Sequence, residues 1–237
     1  KRVRQAVSLA INRKFLSLQE TQGTGPPWGN WIGPEYSGAL NGDGTDLPIP
    51  EYNPERAKQF LAQAAFPSGL TFDWYVPWVP YFDMGERILT DLGGVGIRGK
   101  LEILEGPAYR MKLGQGRKGF PGNRTIVQII GSRPGGAKDT ISVYAVCGGS
   151  ASFICEPQIE ERWARHQAST DMQERDRLIK EIQRITIEEY YAVPIYINSF
   201  IHAVGPRVLP AGEGFHRYWD TPQAGYPVPW EVWEVKE

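Results

Sequence analysis

The chain has 237 residues, 41% of them apolar and 22% charged, and a formal net charge of −1. Such a composition supports a packed core, excludes global disorder, and suits one large domain or a main domain with a smaller appendage. There is no long basic run, which excludes nucleic acid as the main partner, and no apolar stretch approaches the roughly 20 residues of a membrane helix. The 8 Trp and 11 Tyr stand beside 27 Gly and 19 Pro. That mixture points to a wide surface built on irregular loops, unless the rings simply fill the core.

The first element is a helix in "VRQAVSLAINR", residues 3–13, where Val3, Ala6, Val7, Ala10 and Ile11 recur at the spacing of a buried stripe. It begins two residues into the chain, with no lead-in strand. Residues 21–52 read as a long Gly- and Pro-rich irregular segment, of a length that is functional or draped over a surface. A second helix follows, with Asn53 as N-cap, Pro54 in the first turn, and Ala57, Phe60, Leu61, Ala64 and Ala65 on its apolar face.

"LTFDWYV" alternates as a strand with Leu70, Phe72, Trp74 and Val76 on one side, and "PWVPYFD" leaves it as a loop. "MGERILTDLGG" is a helix with Met84, Ile88 and Leu92 aligned, and "IRGKLEIL" is a second strand. This strand–helix–strand run is long enough for a right-handed parallel crossover. A short helix over "PAYRMKL" precedes a third strand, "TIVQIIG", which breaks into the turn-rich loop "SRPGGAKD". Helices follow at "PQIEERWARHQ" and "TDMQERDRLIKEIQRITIEEYY", the latter with Thr170 and Gln173 in a capping-box pattern. "VPIYINSFIHAV" is strand-like. From Gly205 the chain turns to coil, ending in a tail whose Val228, Trp230, Val232 and Trp233 need a cover.

The residues offer no catalytic constellation. There is no G-x-S-x-G nucleophile turn, no HExxH and no dinucleotide glycine pattern after a strand. His166, His202 and His216 stand far apart, as surface or satisfied histidines, so no metal site is expected. Adjacent acids such as Glu160–Glu161 point different ways on a helix and read as solvated charges.

Cys147 and Cys155 in "CGGSASFIC" have neither zinc-pair nor redox CxxC spacing. In an oxidising compartment the small residues between them would let the sulfurs meet, for about 2–3 kcal/mol by loop entropy. In a reducing one they would be free thiols.

A binding pattern remains. The loops after the first and third strands leave an α/β sheet where ligands of such sheets sit, beyond the carboxyl ends. One brings the rings of Trp78 and Tyr81; the other brings Arg133, Asp139 and the amides around Gly135 and Gly136. Apolar walls with a few placed polar groups suit a small solute.

Taken in order, several segments resemble the family 5 extracellular solute-binding proteins, the peptide, opine and nickel receptors of ABC importers. "VRQAVSLAINR" resembles the family helix V-R-x-A-x-x-x-A-I-D/N-R/K, and "YNPERAKQFLAQAAFPSG" its Y-D/N-P-x-x-A-K block. "ILTDLGGVGIRGKLEILEGPAYRMKL", "TDMQERDRLIKEIQRI" and "VPIYI" match later blocks, so the likeness runs in order over about residues 2–205.

The resemblance implies an α/β fold, a periplasmic-binding-protein-like type II lobe with a mixed sheet flanked by helices. It implies that residues 1–205 form the second ligand-binding lobe, while 206–237 complete the first lobe of a receptor about twice as long. On that reading the chain is a C-terminal fragment that starts at a truncation boundary, and the opposing N-terminal lobe is a missing partner. It is a non-enzymatic, exported protein, periplasmic or on the extracellular face, whose precursor carries a signal peptide and which needs no cofactor. Its partners are a small solute, an oligopeptide or a relative of one, and an ABC permease.

The runner-up is a sensor or interaction module that shares the fold without transport. Ser132, Arg133, Trp78, Tyr81 and Asp139 are the expected ligand contacts. The likeness also implies that Cys147 and Cys155 are bridged.

One block departs from the pattern. Peptide receptors carry Gly-Trp and then an acid at the third strand's end, whereas this chain has Gly131, Ser132 and Arg133. That weighs against a standard dipeptide, and the planar fork of Arg133 suits an anionic group. A surface arginine without a ligand fits the same position, and Asp139 either replaces the acid or caps a turn.

Overall fold

The computed structural model describes residues 1–76, 81–115, 118–120, 124–126, 135–198, 208–209 and 234–235, with the backbone alone at 74–76, 81, 124–126, 208–209 and 234–235. Among them the chain runs α1 (Arg2–Ala10), α2 (Arg13–Thr21), α3 (Pro54–Gln63), β1 (Leu70–Val76), α4 (Tyr81–Gly93), β2 (Ile97–Ile103) and α5 (Gly106–Leu113). It continues with β3 (Arg124–Ile126), α6 (Gly136–Tyr144), α7 (Pro157–Ala168), α8 (Met172–Glu188), β4 (Val208–Leu209) and β5 (Glu234–Val235).

The opening stripe divides between two helices. α1 ends at Ala10 because Ile11 turns extended, with φ −87° and ψ 119°. Asn12 then caps α2 by accepting the Phe15 amide at 3.1 Å, and its own N–H donates to Asp91 Oδ2 of α4 at 2.9 Å. The junction buries a whole guanidinium. Arg13 donates to Pro194 O at 2.7 Å, Ser8 O at 2.7 Å and Ser8 Oγ at 2.9 Å. Burial lowers its pKa to about 10, so it stays charged at neutral pH.

α3 is capped as its sequence foretells: Asn53 Oδ1 accepts from Arg56 N at 3.0 Å, and Pro54 sits in the first turn. Ala57 and Leu61 face the core, but the helix stops at Gln63, so Ala65 lies beyond it with φ 66°.

β1 and β2 are parallel, from Leu70↔Ile97 to Val76↔Ile103, with α4 between them in sequence. β3 joins the other side of β1, also parallel, giving the order β2-β1-β3. β4 and β5 form a separate antiparallel pair, Val208↔Val235 and Leu209↔Glu234. The tail residues Val228, Trp230, Val232 and Trp233 lie outside the described residues.

Two cores result. The first joins Ala6, Leu9, Leu61, Ile88, Leu92 and Ile97 from α1, α3, α4 and β2. The second joins Ile141, Ile159, Ile179 and Ile182 from α6, α7 and α8 to Ile32 and Tyr36 of the long irregular segment. That segment is therefore a wall of a core.

What fixes it is Gln183, fully buried on α8. Gln183 Oε1 accepts from Leu40 N and Asn30 Nδ2, both at 2.9 Å, and its Nε2 donates to Gly38 O at 2.7 Å. The strand-like "VPIYI" pairs with the same segment: Trp28 N donates to Ile195 O at 3.2 Å and Ile197 N to Pro26 O at 3.1 Å. Only a single antiparallel bridge, Pro27↔Tyr196, results among the described residues.

α8 departs from the capping-box expectation by one residue. Asp171, not Thr170, is the N-cap, accepting from Gln173 N at 2.9 Å. A carboxylate one position nearer the helix makes the stronger, charge-assisted bond.

Candidate functional site

Three parallel strands carry their carboxyl ends to one edge. Val76 of β1 stands beside Ile103 of β2, and Tyr75 beside Ile126 of β3. The strand order puts the carboxyl ends of β1 and β3 next to each other, and the residues that follow them, 77–80 and 127–134, lie outside the described residues.

Tyr81 is the first residue of α4, and its side chain is outside the described atoms. Trp78, Ser132 and Arg133 lie outside the described residues.

Asp139 is described in full. It sits in the first turn of α6, a helix absent from the sequence reading, which treats 132–139 as a loop. The Gly135 N–H donates to Asp139 Oδ2 at 3.0 Å, and Lys138 Nζ stands 3.3 Å from Oδ1. Its carboxylate thus ties Gly135 to the helix start, where a negative charge is also favoured by the helix dipole.

Gly136, with φ +71°, lets the backbone press against Ser37, whose carbonyl accepts the Ala137 amide at 2.9 Å. The long segment therefore braces the start of α6.

A disulfide joins Cys147 to Cys155, with Cα atoms 4.4 Å apart. The loop it closes carries Phe153 to an aromatic cluster beneath α5, a role that nothing in "CGGSASFIC" signals. Burial pushes the phenol pKa of Tyr109 in that cluster upward, and Tyr144 acts in the same sense.

His166 is buried and stacked on Trp163, ring centroids 5.2 Å apart, so it belongs to the packing of α7. Among the described residues, no group of three His, Cys, Asp or Glu could hold a metal ion. No helix among them is long and apolar enough to cross a membrane. A cavity of about 280 Å³ lies at the other end of the sheet, between Lys58, Pro67 and the Gly69 and Gly96 that precede β1 and β2. That is the amino edge, opposite the carboxyl ends of the strands.

The parallel sheet and the helices around it have the fold of a lobe of a type II periplasmic binding protein, as superposition on solved structures shows. The solved oligopeptide-binding protein AppA of Bacillus subtilis, in complex with a nonapeptide, superposes with a TM-score of 0.74 at 18% identity, covering 100% of this chain and 47% of that one.

The family profile of the bacterial extracellular solute-binding proteins, family 5 (middle), matches residues 1–120. The chain belongs to that family.

The dipeptide-binding protein of Escherichia coli (strain K12) is 26% identical over 218 residues, 87% of this chain and 39% of that protein. Heme-binding protein A of Haemophilus influenzae (strain ATCC 51907 / DSM 11121 / KW20 / Rd) is 31% identical over 121 residues, 48% of this chain and 21% of that protein. The chain thus spans well under half the length of either curated relative.

Proposed function

We propose that this chain supplies one wall of the ligand cleft in a solute receptor that hands a peptide, or a related small solute, to an ABC permease. The observation that carries this is the pairing of the family match with a parallel sheet whose strands bring their carboxyl ends to one edge. The similarity to a dipeptide-binding protein over 87% of the chain supports peptides as the solute class.

On this reading residues 1–205 are one lobe, and 206–237 return to the opposing lobe of the same receptor. The separate β4–β5 pair, outside the main sheet, supports that division. Trp78 and Tyr81 would wall the apolar part of the ligand. Ser132, Arg133 and Asp139 would meet its polar end, and the Asp139 carboxylate also holds the Gly135 N–H. An anionic group suits Arg133, because a guanidinium pairs a carboxylate with two parallel bonds.

The receptor works outside the cytoplasmic membrane, in the periplasm or on the outer face, and is not an enzyme. Closure of the two lobes on the solute shifts a hinge equilibrium through contacts made only when shut.

Native mass spectrometry of the complete receptor, isolated from its own host, tests the proposal: a bound peptide-like mass is expected. An empty receptor whose deletion leaves peptide uptake unchanged would overturn it. Isothermal titration of residues 1–237 should give much weaker binding than the complete receptor, and equal affinity would defeat the two-wall account.

A further inference from the structure

Only Leu104 and Glu105 separate the end of β2 from α5, at the carboxyl edge that the proposed cleft uses. A helix of 8 residues is too short to persist by itself, so its order comes from packing. That packing is a cluster separate from both cores. Tyr109 and Phe120 are its buried centre, with Leu104, Leu113 and Phe153 around them. Tyr109 and Phe120 have centroids 6.1 Å apart, and Phe153 meets Phe120 edge-on at 5.7 Å, an attractive arrangement for aromatic rings.

Phe153 does not come from the neighbourhood of α5 in sequence. It stands inside the loop closed by Cys147 and Cys155, two residues before the second sulfur. That loop is fastened to the second core. Cys147 N–H donates to Glu160 Oε1 of α7 at 2.7 Å, and Ala151 N donates to Val143 O of α6 at 3.1 Å. Gly148, with φ +82°, and Gly149 would otherwise leave the loop many conformations, and the covalent bond removes most of them.

We infer that the disulfide loop is a positioning device, in which Phe153, through Phe120 and Tyr109, holds α5 at the ligand edge of the sheet. The inference rests on the receptor reading above. Phe153 itself is a positioning residue, and α5 is the part of the wall it sets. Its loss frees α5 without disturbing the core of α1, α3 and α4.

The test uses the complete receptor, numbered as here, and a defined pool of di- to tetrapeptides. Hydrogen exchange is followed in residues 106–113, and affinity by titration calorimetry. F153A and the double variant C147S/C155S should each speed exchange of α5 roughly tenfold and weaken peptide binding roughly tenfold, the scale of losing one edge-on contact between aromatic rings. Combining them should add little, since both cut one tether. F153L, which refills the space, should stay near wild type in both readouts, even if the alanine variant folds poorly.

Unchanged exchange in F153A would show that the tether does not exist. Faster exchange with unchanged affinity would show that α5 is not part of the ligand edge. Either result overturns the inference. A wild-type receptor that takes nothing from the pool instead overturns the peptide reading, while the exchange data still report on Phe153 by themselves.

Discussion

Gln183 offers the sharpest test of how the long irregular segment is held. Its side chain is fully buried, and one amide satisfies three backbone or side-chain groups of a segment about 145 residues distant, as the Gly38–Gln183 separation of 145 shows. Replacing it with leucine keeps the volume and removes every polar contact. The Leu40 N–H, one N–H of Asn30 and the Gly38 carbonyl then lose their partner. Asn30 keeps its bond to Leu40 O at 2.8 Å, so its loss is partial.

An orphaned buried group costs about 1–3 kcal/mol. With three groups, and some relief where the loop can turn toward water, Q183L should cost about 3–5 kcal/mol. Urea unfolding should read this as a lowered midpoint with little change in slope. Hydrogen exchange should accelerate across residues 30–41 before it does in α3 or α4. A loss below about 1 kcal/mol would mean that Ile32 and Tyr36 hold the segment by packing alone, and would refute the reasoning.

Three further outcomes are expected. G136A places a Cβ 2.7 Å from Ser37 O at a residue with φ +71°, and should lower stability by about 1–3 kcal/mol in thermal unfolding; a neutral result would mean the loop–helix junction shifts freely. R13M strands Ser8 O and Pro194 O at the α1–α2 junction and should cost about 2–4 kcal/mol, with R13K recovering part of it, as measured by urea midpoints. His166 has a pKa lowered from its usual 6.5, chiefly by burial and then by Arg175 and Lys138, with Gln167 acting weakly the other way. The unfolded chain therefore binds that proton more readily, so stability should be level above about pH 6.5 and fall as the pH drops below it. H166F should flatten the fall, and an unchanged pH profile would exclude His166 as its source.

The apolar faces of α3 and α4, the cap at Asn53 and the positions of β1 and β2 were legible because each depends on residues within one or two turns of chain. Local periodicity decides which side of a helix or strand is apolar. The order of blocks likewise carried the family. The same logic missed the break at Ile11, although Asn12 is a cap residue that could have marked it. It also missed α6, whose first turn follows glycines that read as a loop.

The sequence by itself thus determined most of the helices and the parallel crossover of β1 and β2. Only the tertiary structure decided that Gln183 fastens residues 30–41, that Arg13 is buried among carbonyls, and that the disulfide loop delivers Phe153 to α5. Each of those depends on groups far apart along the chain. A side chain's hydrogen-bonding capacity or ring face says that it needs a partner, but the folded path of the backbone chooses which one.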